Sequence, residues 1–516
     1  MASKKKEHDD GLGDWIVPVI DLMSILIQKA FELSVWLITY LFTEYVFKER
    51  RNEEVKKINR EDLKVKTTTL SENALGYSIT KKRNIMMTEL DRRMHTMIVG
   101  ASGFGKSVAL DVLMFDDMRK GKPVILIDPK GDNKSLNQFI NMCKVTGRTY
   151  QVFSEYYQGE GSISLNPVKD GNASSIADRI HYAFEWSEPH YATVCYRALK
   201  KACTLLSTSK ESLSLEHILH KLREISDPHD KERLYDRDEI DGIVARLENL
   251  TESDFGPKLK STGASFQDIW SQKKCIYIGL PVLGHPLMAR ALGKVILGDL
   301  AFAVYEEYKA LTVESKDKLT PLGVYIDELS AVITNEFIEL QNKCREVKME
   351  LTFAFQSPSD ISKVNPQLLE QILESSSNWL IFKQRMEAGA GLFAQAIGTV
   401  SGKKKTIRVD GDEESKLGSQ RDVEELTAHN NIIKNLMPGQ CILLRHAPTK
   451  VDLINVKYID PKTVINNVNY LEGRGLLQKL PTQAVVADGQ HSRRTVTGKQ
   501  TIKRRSKTTL SKEGMA

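Results

Sequence analysis

The residues with the most specific chemistry lie at one short loop. Gly100, Ala101, Ser102, Gly103, Phe104, Gly105, Lys106 and Ser107 fit the pattern G-x-x-x-x-G-K-[ST]. Glycines at 100, 103 and 105 let backbone N–H groups turn inward around phosphate oxygens, where a Cβ would collide. Lys106 brings a full charge to the β and γ phosphates, and the Ser107 hydroxyl is a ligand for Mg²⁺. A glycine-rich turn with an exposed lysine is the alternative. The strand, loop, helix and strand around the motif argue against it and for a nucleoside triphosphate site.

Two further strand ends carry matching chemistry. Leu322-Gly-Val-Tyr-Ile-Asp327-Glu328 is an apolar run ending in adjacent carboxylates. The first, Asp327, suits the Mg²⁺ shell, and the second, Glu328, is placed to polarise an attacking water. By itself such a run is commonplace; behind a phosphate loop it gains weight. Leu351-Thr-Phe-Ala-Phe-Gln356 ends instead in a neutral amide, which can hydrogen-bond a γ-phosphate or the lytic water without adding repulsion. A solvent-facing glutamine is the alternative there. After the apolar run Trp379–Phe382 come Lys383 and Arg385, either of which is a candidate arginine-finger-type cation for a neighbouring subunit's site, or simply a surface charge.

These side chains need an α/β frame to hold them. Met97–Val99 reads as a buried strand, Val108, Leu110, Val112, Leu113 and Met118 recur at helical spacing, and Val124–Ile127 makes the next strand. From about residue 173 to 265 amphipathic helical segments dominate, and the strand pattern resumes at Cys275–Leu280. That reads as an all-helical insertion in an α/β domain. The expected division is 1–60 as N-terminal anchor and basic linker, 61–172 and 266–460 as two parts of a nucleotide-binding domain, 173–265 as the insertion, and 461–516 as a disordered basic tail. In that tail, Arg493 to Lys512 holds eight Lys/Arg and no acidic residue.

Composition sets wider bounds. The 516 residues, 41% hydrophobic and 27% charged, describe a mostly globular chain of several domains. A net charge of +6 does not by itself call for nucleic acid. Six scattered cysteines without C-x-x-C pairs exclude a zinc framework or disulfide scaffold and suit a reducing cytoplasm. Trp15 to Phe47 turns apolar, but its more uniform half, Ala30–Phe47, holds Glu32 and Glu44 and falls slightly short of the about 20 residues of a clean span. An interfacial helix leading into one span, a pair of spans and a soluble hairpin all remain open, with membrane attachment favoured. Lys48, Arg50, Arg51, Lys56, Lys57 and Arg60 follow that stretch and would keep the body cytoplasmic.

Several elements together resemble the type IV coupling proteins of conjugation and secretion, the TraD/TraG-like ATPases related to FtsK and HerA. They are His95-Thr-Met-Ile-Val-Gly, Asp128-Pro-Lys-Gly-Asp132, Asn166-Pro167, Gly279-Leu-Pro-Val-Leu, Leu292-Gly-Lys, Ile326-Asp327-Glu328 and Phe355-Gln356-Ser357, across roughly 70–460. The resemblance implies a RecA-like P-loop NTPase core with ATP and Mg²⁺ as cofactors, an inserted helical bundle and an N-terminal membrane-associated segment. It also implies a hexameric pump on the cytoplasmic face of the bacterial inner membrane. Its partners would be single-stranded DNA bound without sequence preference, a relaxase, inner-membrane secretion channel proteins, further copies of itself and membrane lipid. Lys106 and Ser107 carry over as nucleotide and Mg²⁺ contacts, Asp327 and Glu328 as metal and water carboxylates, Gln356 as sensor, and Arg385 as the finger. An FtsK-like duplex translocase and a membrane adaptor recruiting protein substrates are the rival readings.

Overall fold

The structure, a computed structural model, describes residues 13–41, 70–79, 81–208, 213–410, 413–447 and 449–473. Its frame is a sheet built from β1 (Gly76–Ser78), β2 (Arg83–Ile85), β3 (Thr96–Val99), β4 (Val124–Asp128), β5 (Tyr150–Phe153), β6 (Cys275–Gly279), β7 (Leu322–Asp327), β8 (Met349–Phe355), β9 (Asn378–Ile381), β12 (Gln440–His446) and β13 (Thr449–Val456). A separate hairpin pairs β10 (Thr399–Asp410) with β11 (Glu413–Leu426) and carries Lys403, Lys404, Lys405 and Arg408.

The order across the large sheet is β2-β1-β13-β12-β9-β3-β8-β7-β4-β6-β5. From β9 to β5 all neighbours are parallel; β12, β13, β1 and β2 extend it antiparallel. Every residue of β3 to β9 is buried. Successive strand side chains point to opposite faces, so such runs require cover on both. The chain leaves β3 and re-enters the sheet three places away at β4, and β7 and β8 later fill the gap. The loops after β3, β7 and β8 therefore meet at one rim, where open α/β sheets bind ligands.

A buried charge network fixes that rim from below. The Arg92 guanidinium donates to Asp117 Oδ2 at 3.0 Å, to the Tyr325 hydroxyl at 2.8 Å and to Thr352 Oγ1 at 2.8 Å. Lys122 Nζ donates to both Glu350 oxygens at 3.1 and 3.0 Å. Asp117 lies on the helix Lys106–Arg119, Tyr325 on β7, and Thr352 and Glu350 on β8. The phosphate-loop helix is thus tied to the two strands that end in Asp327 and Phe355.

Between β5 and β6 run the helices Ala173–His181, Pro189–Ser207, Leu215–Glu224 and Arg237–Thr251. Their buried positions, such as Ile218, Leu219 and Leu222 or Ile240, Ile243, Val244, Leu247 and Leu250, recur at three and four. These side chains are continuous with the core beneath the sheet.

Two expectations change. Among the described residues, the apolar N-terminal stretch is one unbroken helix over Gly13–Leu41, and its end at 42–47 lies outside them. No helix among the described residues is long and apolar enough to cross a membrane. The stretch after Asp460, expected to start the disordered tail, opens with the helix Pro461–Gly473. Val464 and Val468, four apart, are buried, and that helix packs on Asn133–Val145. The basic linker 48–60 and residues 474–516 lie outside the described residues.

Candidate functional site

The phosphate loop is held by its neighbours on the sheet. Phe382 N–H donates to Val99 O at 2.8 Å, Ala101 N–H to Lys383 O at 2.9 Å, Gly100 N–H to Phe355 O at 3.3 Å, and Gly439 N–H to Phe104 O at 2.9 Å. A Cβ on Gly100 would sit 2.4 Å from Phe382 Cβ, so only glycine lets β9 approach this closely. Gly103 and Gly105 have φ of +82° and +113°, in the left-handed region. Gly105 opens the helix that begins at Lys106, whose free N–H groups and dipole face the loop.

Lys106 is buried, and its ammonium donates to Gly100 O at 2.6 Å. Burial pushes its pKa below the ordinary value, opposed by the negative charges of Glu328 and Asp327. The Ser107 hydroxyl donates to Asp327 Oδ2 at 3.0 Å. Asp327 ends β7, and its Oδ1 is buried without a hydrogen-bond partner. A buried, orphaned carboxylate oxygen beside a serine hydroxyl fits a hard divalent cation.

Glu328 follows with φ +81° and ψ +65°, a strained conformation for a side-chain-bearing residue. Its backbone N–H reaches Ala354 O at 3.1 Å, which anchors the turn to β8. Its two carboxylate oxygens accept from Ser330 Oγ at 2.7 Å and from Gln356 Nε2 at 3.1 Å. The structure therefore brings Lys106, Ser107, Asp327, Glu328 and Gln356 together. Arg385 stands apart, exposed beyond β9. Lys383 instead packs over the Phe104 ring, 5.2 Å from its centre, within the same subunit's loop.

Three site residues escaped the reading of individual side chains. The Lys130 ammonium forms an ion pair with Asp327 Oδ2 and also donates to Ser107 Oγ at 3.3 Å. Burial works against its charge, yet the Asp327 carboxylate raises its pKa overall. Asp128, at the end of β4, accepts from the Tyr277 hydroxyl at 2.8 Å and from Lys130 N–H at 3.0 Å. Burial and then the Asp327 charge push its pKa up. Asp111, one helical turn after Ser107, is pushed up to about 7 by burial first, then by Asp327 and Asp128. Asp128-Pro-Lys-Gly-Asp132 was visible as a family element, and a strand end followed by a lysine was its only chemical signal. Asp111 showed none beyond one carboxylate among several charged residues of the phosphate-loop helix.

The arrangement offers a left-handed glycine turn at a helix N-terminus, a lysine, a serine–aspartate pair and a glutamate–glutamine pair, as phosphoryl transfer from a magnesium triphosphate requires. Residues 79–288 match the family described as helicase HerA, central domain. Residues 321–442 match the TraM recognition site of TraD and TraG. No curated protein matches in sequence. Among solved structures, the unbound conjugative coupling protein TrwBdeltaN70 is similar with a TM-score of 0.59 at 14% identity, over 78% of this chain and 92% of that one. TrwB with the ATP analogue ADPNP gives 0.55 at 15%, over 78% and 93%. TrwB with ADP and Mg²⁺ gives 0.53 at 15%, over 78% and 93%. The chain is thus similar, in two successive regions, to the HerA central domain and to the TraD/TraG recognition region, on a fold shared with TrwB.

Proposed function

We propose that the chain is an ATP-driven coupling protein that delivers relaxase-bound DNA to a type IV secretion channel during conjugation. The convergence of Lys106, Ser107, Asp327 and Glu328 at one sheet rim carries this reading. The TraD/TraG recognition region over 321–442 supports a relaxosome partner. TrwB complexes with ADP and Mg²⁺ and with ADPNP support the choice of cofactor. When bound, the magnesium triphosphate supplies the scissile phosphoanhydride and neutralises charge on its oxygens. Lys106 and the loop amides bind phosphate oxygens, Ser107 and Asp327 hold the metal, and Glu328 accepts a proton from the attacking water. Gln356, hydrogen-bonded to Glu328, orients it.

Arg385, exposed beyond β9, is the finger offered to a neighbouring subunit of a hexamer. The proposal keeps the division of the chain at 172/173 and 265/266, with the helical insertion set into the nucleotide-binding domain. It places the protein on the cytoplasmic face of the inner membrane. Exposed Met23, Phe31, Leu33 and Trp36 on the N-terminal helix support lipid contact. The test is ATP turnover by the full chain with single- or double-stranded DNA, across protein concentrations. Stimulation by single strands that steepens with concentration supports a ring-forming pump. Preference for duplex favours the FtsK-like reading. DNA transfer undiminished in Glu328→Gln without turnover would favour an adaptor and end the motor reading.

A further inference from the structure

Away from the nucleotide site, three metal-type ligands converge where the helical insertion rejoins the core. Glu155 lies just past β5, Asp254 just past the helix Arg237–Thr251, and His285 directly before the helix Pro286–Lys309. One ligand atom from each lies within 4.8 Å of the others. His285 Nε2 stands 3.2 Å from Asp254 Oδ2 and 3.7 Å from Glu155 Oε1. The Glu155 side chain is 1% exposed, and neither of its oxygens accepts a hydrogen bond of good geometry. The exposed Tyr156 hydroxyl lies beside that carboxylate, and a loose hydrogen bond to Glu155, then burial and the Glu155 and Asp254 charges, raise its pKa. Phe255, itself buried and stacked on Phe153, presents an edge contact to the His285 ring and backs the cluster.

A buried carboxylate without a well-formed hydrogen bond is costly, and a single imidazole N–H cannot point at two separate oxygens. A divalent ion satisfies both carboxylates and the imidazole at once. Bonds of about 2.1 Å in a tetrahedral site put neighbouring ligand atoms about 3.4 Å apart, close to the two separations to His285. We propose that Glu155, Asp254 and His285 bind a divalent transition metal, Zn²⁺ by preference, which pins the insertion to the core. Mixed imidazole and carboxylate ligands suit Zn²⁺, with Mn²⁺ the nearest competitor. The fourth position would be left to water.

The site does not depend on the nucleotide reading, and its test keeps the two apart. Full-length Asp327→Asn protein, which lacks the nucleotide-site metal carboxylate, would be stripped with chelator and titrated with Zn²⁺ and Co²⁺ without nucleotide. The expected result is one equivalent bound, with the visible absorption of tetrahedral Co²⁺. Adding Glu155→Gln or His285→Ala should weaken binding by more than the roughly ten- to hundredfold that losing an outer hydrogen-bond partner costs. No stoichiometric binding, or binding unchanged by Glu155→Gln, overturns the proposal and leaves only the His285–Asp254 contact.

Discussion

The Ser107 hydroxyl donates to the Asp327 carboxylate across 3.0 Å, although 220 positions separate them in the chain. One residue opens the phosphate-loop helix, and the other closes a strand two places away in the sheet. If both hold one metal ion, Ser107→Ala and Asp327→Asn should each weaken Mg²⁺-dependent nucleotide binding, and the double variant should be little worse than Asp327→Asn. Strict additivity, within about 0.5 kcal/mol in a binding cycle, would show that they act separately.

Lys130 shares Asp327 Oδ2 and the Ser107 hydroxyl, the same atoms offered to the metal. An ammonium there competes with Mg²⁺ for the carboxylate. Lys130→Met should therefore lower the Mg²⁺ concentration needed for half-maximal ATP turnover. A magnesium titration showing an unchanged or higher requirement would show that this lysine does not compete.

Lys106 and Glu328 have separable roles. Lys106→Ala should abolish nucleotide binding while circular dichroism stays unchanged. Glu328→Gln keeps the shape and one acceptor oxygen for its hydrogen-bonded neighbours but not the base, so it should bind ATP and turn it over about 10²–10⁴-fold more slowly. Near-normal turnover in a single-turnover assay would remove Glu328 from proton transfer.

The Arg92 network ties the nucleotide-site helix to β7 and β8 with both partners almost wholly buried, at 1% and 0% exposure. Removing the cation strands Asp117 in the interior. Arg92→Met should cost about 3–5 kcal/mol, read from the urea unfolding midpoint. A loss under about 1 kcal/mol would mean that the network contributes little.

His95 supplies a pH signature. Its Nε2–H donates to Gln341 O at 2.9 Å and its Nδ1 accepts from Leu351 N–H at 3.3 Å, so the ring is neutral in the fold. Burial pushes its pKa down from 6.5 to about 4, against the Gln341 hydrogen bond and helped by Arg345 and Arg92. Between those values the unfolded chain takes up a proton that the folded chain refuses. Stability is therefore fully present above pH 6.5 and falls as the pH drops towards 4, by about 3 kcal/mol for this group. His95→Gln should flatten the pH dependence of unfolding free energy in that window; an unaltered slope would assign it to other groups.

Much of this was legible in local pattern. The phosphate loop, the carboxylates ending Leu322–Asp327 and the helices of 173–265 all declare themselves by short-range signals. Glycine and lysine spacing reports backbone needs, and apolar period reports which face is buried. Lys383 and Arg385 show the limit: two cations two residues apart look alike in sequence, yet one packs on Phe104 and the other stays exposed. The valine pair Val464 and Val468 was likewise too slight a signal to set a helix against the basic stretch beyond it.

Residue types and spacing within about ten positions were enough to name a triphosphate site and its chemistry, because those demands act through neighbouring backbone. Which residues share the ion was settled only by strand order, which inserts β7 and β8 beside β3 and so brings Asp327 to Ser107. The same holds for Lys130, Asp111 and the Glu155–Asp254–His285 cluster. Their neighbours come from distant strands and helices, and burial there sets both the cost of each charge and the partner that relieves it.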